Sequence, residues 1–308
     1  LEEELRAEGL EMYQDPEPEQ AQPVEETEED SSQEESSETG ETPAPEEKPV
    51  PQPINDTHPL WTKMASECKE EEYKDFYRKV FNDYKEPLFW IHLNTEFPFK
   101  LRGILYFPKI NTEYDALESQ IKLYNNQVFI ADNIKEVIPE FLMLLKGVID
   151  CPDLPLNVSR SALQNDGFVK KISDYITKKV ADKLSGMCKT EKEEYDKYWD
   201  DISPFIKFGC LKDEKFCEKM NDYILFKNLE GKYLTLPECL EENKEKHENT
   251  VFYVTDEVQQ AQYVKMFREQ EMNAILLNMA IDQPFISMVE QDEENVHFHR
   301  IDTELSDV

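Results

Sequence analysis

Residues 150–164 read Asp-Cys-Pro-Asp-Leu-Pro-Leu-Asn-Val-Ser-Arg-Ser-Ala-Leu-Gln, and this stretch predicts a rigid loop that leads into a helix. Pro152 and Pro155 each fix their own φ and favour extended geometry in the residue before them, so the chain stays extended as far as Asn157. Ser159 is a suitable N-cap, which places the start of the helix directly after it. The neighbouring elements are therefore expected to be arranged around this change from loop to helix.

Arg160 occupies the first turn of that predicted helix. A cation is unusual there, because the N-terminal end of a helix dipole favours anions. One interpretation is a solvated arginine on a capped helix. The other is a guanidinium held on a rigid loop, where it can contact a phosphate oxygen that is bound elsewhere. The residue types alone favour the solvated arginine.

The charge of the chain is uneven. The 308 residues carry a net charge of −33. Residues 1–55 hold 19 acidic residues against Arg6 and Lys48, a net charge of −17. This segment has too few large apolar side chains to offset its ordering entropy, so it is predicted to be a disordered acidic linker. The first residue is Leu1, which suggests a fragment of a longer protein.

Composition and motifs exclude several classes of partner and site. The strongly negative charge argues against nucleic acid as a general partner. No apolar run has the length of a membrane span, and no signal peptide is recognisable. The six cysteines show no paired CxxC spacing, which favours reduced thiols in a cytoplasmic protein. His297 and His299 have no indicated third ligand, so no metal site is predicted.

Apolar periodicity predicts the elements that precede the loop. A helix over 70–84 carries apolar side chains at i, i+3, i+4 and i+7, and Pro87 stops it. A β-hairpin follows, and then a third extended run with a bulge at Asn125-Asn126. These strands are predicted over residues 88–93, 100–107 and 121–131. Pro139 is predicted to open a helix that Gly147 ends, and Val148-Ile149 forms a short buried strand.

The elements after the loop are predicted in the same way. An amphipathic helix has Val169, Ile172, Ile176, Val180 and Leu184 on one face, and its lysines are expected to form a solvated face. Residues 190–245 are mainly helical, with aromatic side chains that are expected in the core. A small β-α-β unit is predicted over 251–254, 258–268 and 274–277. It lacks a glycine-rich phosphate loop, so it is not a nucleotide site.

Short motifs follow one another in a recognisable order. They are Pro59-Leu60-Trp61, Glu71-Glu72-Tyr73, Phe76-Tyr77, Glu86-Pro87-Leu88, Leu105-Tyr106-Phe107-Pro108, Ile121-Lys122-Leu123-Tyr124, Val128-Phe129-Ile130, Gly147-Val148-Ile149-Asp150, and Asp153-Leu-Pro-Leu-Asn-Val-Ser-Arg160 with Leu163-Gln164. This collinear series covers about residues 56 to 300. It resembles the middle domain of the heat-shock protein 90 family of molecular chaperones, in its bacterial HtpG branch, and the last motif resembles the family's catalytic loop.

The resemblance implies an α/β fold. The expected architecture is a layered α/β sandwich of the ribosomal protein S5 domain 2-like type, followed by a helical segment and a small α/β domain. The corresponding division is a disordered acidic linker over 1–55, a large α/β middle subdomain with the catalytic-type loop over 56–185, a helical connector over 186–248 and a small α/β subdomain over 249–308.

The resemblance also implies a function. The chain is expected to be the middle region of an ATP-dependent chaperone that folds and remodels client proteins in the cytoplasm. The full-length homodimer would bind ATP and Mg²⁺ in an N-terminal ATPase domain before Leu1, and a C-terminal dimerisation domain would complete it. This chain alone would bind neither and would not hydrolyse ATP. The alternative is a non-catalytic acidic interaction module without ATP coupling.

Three loop residues take catalytic roles by this resemblance. Arg160 would sense the γ-phosphate of ATP held by the N-terminal domain and act as an arginine finger. Gln164 would orient the attacking water or the loop, and Asn157 would shape the loop. The family often has basic residues where this chain has Asn125-Asn126-Gln127, so no role for charge is implied there.

Client contact is implied for a second group of residues. Trp61 matches a tryptophan that the family associates with clients, and Tyr114 and Leu117 lie where the family places exposed apolar side chains. A core anchor at the entrance of the domain is an equally good interpretation of Trp61, because an aromatic side chain can be half buried and still serve a surface.

Overall fold

The structure is a computed structural model that describes residues 56–109, 120–133, 137–154, 167–293 and 295–303. The acidic linker predicted over 1–55 lies outside these residues. The division of the remainder at 185/186 and at 248/249 stays a prediction.

Five strands form the main sheet, in the order β1-β2-β5-β3-β4. Their bounds are β1 Phe89–Thr95, β2 Leu101–Phe107, β3 Gln120–Asn125, β4 Val128–Asp132 and β5 Lys146–Asp150. Strands β3 and β5 are parallel, and the other neighbouring pairs are antiparallel. Because β5 is the central strand, the chain that follows Asp150 leaves from the middle of the sheet.

Helices cover both faces of this sheet, as a layered α/β fold requires. Helix α1, Glu70–Phe81, packs its buried aromatic side chains against Ile104, Tyr106 and Val148. The alternate residues Leu105 and Phe107 of β2 point to the other face and join the larger core. Successive side chains of β2 therefore point into two apolar layers, one on each face of the sheet. The predicted mixed α/β fold class is confirmed.

Helix α1 is shorter than predicted. It ends at Phe81, because Asn82 adopts a left-handed conformation with φ 49° and caps its C-terminus. Tyr84, which the predicted helix placed on the apolar face, is 85% exposed instead. Pro87 therefore follows a helix that had already ended.

Two further local predictions are wrong. The run predicted over 121–131 is not one bulged strand but two strands joined at Asn126 and Gln127, whose φ values are 49° and 65°. Two successive left-handed residues form a tight hairpin turn. The helix predicted after Pro139 is only a 3-10 turn, Glu140–Leu144, and Gly147 lies inside β5.

Helices form most of the chain between Gly167 and Glu242. They are α2 Gly167–Thr190, α3 Lys192–Lys212, α4 Glu214–Met220 and α5 Leu236–Glu242, with a two-stranded sheet of β6 Phe226–Lys227 and β7 Tyr233–Leu234 before α5. The predicted apolar face of α2 is buried, as periodicity requires. Among the described residues, no helix is long and apolar enough to cross a membrane.

The predicted β-α-β unit near the C-terminus is present and gains a third strand. Its elements are β8 Thr250–Val254, α6 Ala261–Glu269, β9 Ile275–Leu276, α7 Asp282–Asp292 and β10 His297–Arg300. The order is β10-β8-β9, and both pairs are parallel. A buried ion pair joins this unit to α3, since Lys207 Nζ lies 2.5 Å from Asp282 Oδ1.

Candidate functional site

Asp150, the last residue of β5, is the point from which the 150–164 loop leaves the sheet. Its side chain is buried, and Oδ2 accepts a hydrogen bond from the indole N–H of Trp61 at 3.1 Å. The backbone N–H of Gln127 donates to the same oxygen at 2.9 Å. Two donors to one buried oxygen partly compensate the loss of hydration of the carboxylate.

The first residues of the loop form a tight turn. The N–H of Leu154 donates to the carbonyl of Cys151 at 3.2 Å, and the N–H of Cys151 donates to the carbonyl of Tyr124 at 3.1 Å. The side chains of Cys151 and Leu154 are both buried. Burial raises the pKa of the Cys151 thiol to about 12, so this thiol stays protonated at neutral pH. Cys151 therefore belongs to the buried core at the start of the loop.

Asn125 holds this turn from the neighbouring strand. Its side-chain amide nitrogen lies 3.2 Å from the carbonyl oxygen of Cys151, 3.1 Å from that of Pro152 and 3.3 Å from that of Leu154. Strand β3 is parallel to β5, so the ends of both strands meet at one edge of the sheet. The geometry thus brings one amide donor to three carbonyls of the loop.

The β1–β2 hairpin holds the same turn from its other side. The backbone N–H of Lys100 donates to Asp153 Oδ2 at 2.8 Å. A small cleft of about 180 Å³ lies beside this contact. Its lining combines both charges, from Glu96, Lys100, Arg102 and Asp150, with Thr62, Asn126, Gln127 and Pro152. Arg102 is already paired with Glu96 at 2.9 Å.

The three catalytic candidates follow directly after this turn. Asn157, Arg160 and Gln164 lie within residues 155–166, which are outside the described residues. Tyr114 and Leu117, two of the client-contact candidates, lie within 110–119 and are also outside them. The base of the loop is therefore described, and the roles of these five residues stay predictions.

Trp61 is a core residue of the described structure. It lies in a 3-10 turn, Leu60–Thr62, and is only 6% exposed. Its ring packs against those of Tyr124, at 4.9 Å between centroids, and Phe76, at 5.8 Å. This burial, together with the hydrogen bond to Asp150, supports the core-anchor interpretation of Trp61 over direct client contact.

An aromatic path leads from Trp61 towards the surface. Tyr124 contacts Phe129 of the edge strand β4 with ring centroids 5.6 Å apart, and Phe129 is 49% exposed. The next residue back, Val128, is 63% exposed. The apolar surface beside Trp61 is therefore formed by β4 rather than by the tryptophan itself.

The described part of the chain contains side chains that could bind a metal or form a disulfide. No group of three or more His, Cys, Asp or Glu side chains there has a metal-binding arrangement. The rings of His297 and His299 lie 6.4 Å apart at 90°. All six cysteines are free thiols.

Sequence reasoning missed the residues that hold the loop base. It treated Asn125 as part of a bulge and Asp150 only as a motif residue. One signal was available, because a carboxylate at the end of the apolar strand Lys146–Asp150 needs hydrogen-bond partners. The identity of those partners depends on which strands are neighbours, and this is a tertiary property.

Comparisons with known proteins identify a family for this chain and relatives that match 82% of it. The family model described as Hsp90 protein matches residues 2–306. A chaperone protein HtpG of Porphyromonas gingivalis is 44% identical over 257 residues, which are 82% of this chain and 37% of that protein. One of Bacteroides fragilis is 43% identical over 259 residues, which are 82% of this chain and 38% of that protein. The chain therefore spans well under half the length of these relatives.

A solved structure has the same fold. The middle domain of a Plasmodium falciparum heat shock protein superposes with a TM-score of 0.61 at 22% sequence identity. The match covers 80% of this chain and 100% of that domain.

Proposed function

Since the chain belongs to the heat-shock protein 90 family, in its HtpG branch, we propose that it works as the middle region of an ATP-dependent chaperone. In the full-length protein, an N-terminal domain binds ATP and Mg²⁺, and this region supplies Arg160 to the γ-phosphate. A C-terminal domain forms the homodimer. Cytoplasmic client proteins are the substrates that the cycle remodels. The observation that carries the proposal is the match over residues 2–306, which includes the Arg160 loop.

The described base of the loop supports the role of Arg160. A cation that stabilises charge on a transferring phosphoryl group must be held in place before the reaction, because preorganisation is what makes it effective. Residues 151–154 are held by hydrogen bonds from Asn125 and Lys100, and they follow the central strand β5. A rigid support of this kind suits a positioned guanidinium better than a solvated side chain.

Client contact is proposed for the loop that contains Tyr114 and Leu117. Trp61 is buried, so its contribution to client binding is indirect, through the packing of Tyr124 and the exposed Phe129. Exposed apolar side chains that cluster on a surface are typical of sites that bind other proteins.

The test is hydrolysis of ATP by the full-length protein with Arg160→Ala. We expect the melting temperature to change by no more than corresponds to about half a kcal/mol of stability, and the nucleotide affinity to stay close to wild type, because the proposed contact of Arg160 belongs to the transition state and not to the fold of this region. Turnover should fall steeply, by up to about a thousandfold for an arginine finger, less where closure of the domains limits the cycle. Arg160→Lys should restore little, because an ammonium lacks the planar fork of the guanidinium.

Arg78→Ala is the matched control. Arg78 is a partly exposed arginine on α1 that pairs with Asp75 at 2.8 Å. Its substitution by alanine should leave the rate of ATP hydrolysis unchanged. If Arg160→Ala hydrolyses ATP at the wild-type rate, Arg160 is only a solvated residue and its proposed role at the γ-phosphate is wrong. A wild-type full-length protein that does not hydrolyse ATP would instead favour the non-catalytic interaction module.

A further inference from the structure

Cys210 and Cys217 lie on either side of the break between α3 and α4. Helix α3 ends before Asp213, whose carboxylate accepts the backbone N–H of Phe216 at 2.8 Å and so caps α4. The two helices approach each other closely at this turn, since a Cβ atom at Gly209 would lie 2.6 Å from the ring of Phe216. Gly209 and Phe216 each precede one of the cysteines in the sequence, so the same approach brings the two thiols together.

The two thiols form a short hydrogen-bonded chain. The thiol of Cys210 donates to the sulfur of Cys217, whose own thiol donates to Asn221 Oδ1 at 3.2 Å. Cys210 is 4% exposed and Cys217 is 7% exposed, whereas Asn221 is an exposed residue. Cys217 is therefore the member of the pair that lies at the edge of the core, towards solvent.

The hydrogen bond from Cys210 favours the thiolate of Cys217. It lowers the pKa of Cys217 below its ordinary value, although burial acts in the opposite direction. Cys239 has no such donor, and burial raises the pKa of its thiol to about 12. The thiolate is the form of cysteine that reacts with oxidants. Among the buried thiols, Cys217 is thus the one suited to react.

We propose that Cys210 and Cys217 are a dithiol that hydroperoxides oxidise to a disulfide. The sulfur of the Cys217 thiolate attacks one oxygen of the hydroperoxide and the O–O bond breaks, which leaves a sulfenic acid and an alkoxide that takes up a proton. The sulfur of Cys210 then attacks the sulfur of Cys217, and the S–O bond breaks. The departing hydroxide takes the proton of Cys210 and leaves as water.

The electrons balance in this sequence. The two thiols lose two electrons and two protons, and the hydroperoxide is reduced to an alcohol and water. Because the neighbouring thiol of Cys210 consumes the sulfenic acid, Cys217 is protected from irreversible oxidation to the sulfinic acid. The inference does not depend on Arg160 or on the hydrolysis of ATP.

The experiment treats the reduced full-length protein with hydrogen peroxide at neutral pH and digests it with trypsin without a reductant. Trypsin cleaves after lysine, and Lys212 and Lys215 lie between the two cysteines, which therefore end in the separate peptides 208–212 and 216–219. We expect mass spectrometry to show these two peptides joined to each other. Dithiothreitol should separate them again, because thiol–disulfide exchange reverses the bond.

Two variants test the role of each thiol. Cys210→Ser keeps a hydrogen-bond donor but removes the second thiol, so Cys217 should remain as a sulfenic acid that dimedone labels. Cys217→Ser should abolish the joined peptides and leave Cys210 reduced. A pair of cysteines with a purely structural role would give neither result.

Cys239→Ser is the matched control. Cys239 is 2% exposed and is also a buried thiol, but it lies on α5. This substitution should leave the rate of disulfide formation between Cys210 and Cys217 unchanged. In the wild-type protein, the pair should be oxidised at least about tenfold faster than Cys239, because little of the Cys239 thiol is ionised at neutral pH.

The wild-type protein alone can overturn the inference, even where a variant does not fold. If the peptides 208–212 and 216–219 stay separate after treatment with hydrogen peroxide, the pair is not an oxidisable dithiol. Oxidation of Cys217 and Cys239 at equal rates would show that Cys210 does not activate its neighbour. Oxidation of Cys217 that stops at the sulfenic acid would show that Cys210 does not complete the disulfide.

Discussion

The indole N–H of Trp61 donates a hydrogen bond of 3.1 Å to Oδ2 of Asp150, a residue 89 positions further along the chain. This contact ties the turn before α1 to the end of the central strand, where the 150–164 loop begins. It explains why a tryptophan occupies this position, because phenylalanine has no donor for the carboxylate. Trp61 thus belongs to the support of the loop.

Substitution of Trp61 should therefore affect stability first. We expect Trp61→Phe to lower the free energy of unfolding by about 1–3 kcal/mol, because Asp150 loses one of two donors to its buried oxygen. Trp61→Ala should cost about 3–5 kcal/mol, because it also leaves a cavity. Urea unfolding measures both values.

Binding of an unfolded client to the same Trp61 variants tests the alternative interpretation. The loss of binding by Trp61→Ala should match the loss of folded protein at the assay temperature. A variant that melts like wild type but binds clients poorly would show that the tryptophan contacts clients directly.

Gly103 permits the close approach of β2 and β5. A Cβ atom at this position would lie 2.4 Å from the carbonyl oxygen of Val148, and backbone at the centre of a sheet has little room to shift. We expect Gly103→Ala to lower the free energy of unfolding by about 1–3 kcal/mol through overpacking. Gly186→Ala is the control, since nothing lies within 4 Å of its Cβ position and alanine stabilises a helix interior by up to about 1 kcal/mol. Equal effects of the two substitutions in denaturant unfolding would contradict this explanation.

Asp83 should contribute to the loss of stability in acid. Burial alone would raise the pKa of Asp83, but hydrogen bonds from Lys146 at 2.6 Å and Tyr77 at 2.8 Å lower it below its ordinary value. Because the pKa is lower in the folded state, this stabilisation is present above the unfolded pKa and is lost as the pH falls through the folded pKa. The Asp83→Asn protein should therefore lose less stability than wild type between neutral pH and the acid range.

The measurement is the free energy of unfolding at a series of pH values down to the acid range. Asp75→Asn serves as the control, because an exposed pair such as Asp75 with Arg78 contributes little. Its stability should fall with pH as steeply as that of wild type. If the free energy of unfolding falls with pH equally for Asp83→Asn and wild type, the protonation of Asp83 does not contribute to the loss of stability in acid.

The ion pair between Lys207 and Asp282 should be costly to break from one side. Both side chains are buried, and Asp282 Oδ2 also accepts the backbone N–H of Met279 at 2.9 Å. We expect Lys207→Met to cost about 3–5 kcal/mol, because it leaves a buried carboxylate unpaired. Lys207→Met/Asp282→Asn should recover much of that loss, since it removes the charge and keeps an acceptor for Met279. A single substitution that costs less than about 1 kcal/mol in calorimetry would show that the pair is dispensable.

The positions of the long helices and of the small β-α-β unit could be predicted from the sequence. The family could be predicted from it as well. The apolar face of α2 repeats at helical spacing over residues that are buried in the structure. The collinear motifs cover about residues 56 to 300, and the family model matches residues 2–306. Local boundaries were less predictable. Asn82 and Asn126 end their elements by adopting left-handed φ values, which their residue type permits but does not require.

The sequence by itself therefore determined which faces of the helices and strands are apolar, and which loop carries the arginine. The tertiary structure decided which polar groups meet. Trp61 and Gln127 donate hydrogen bonds to Asp150, and Asn125 donates to the carbonyls of the Cys151–Leu154 turn. These contacts form only because β5 lies between β2 and β3. Periodicity reports the burial of a residue within its own element, whereas a buried polar group must be satisfied by whatever neighbour the strand order provides.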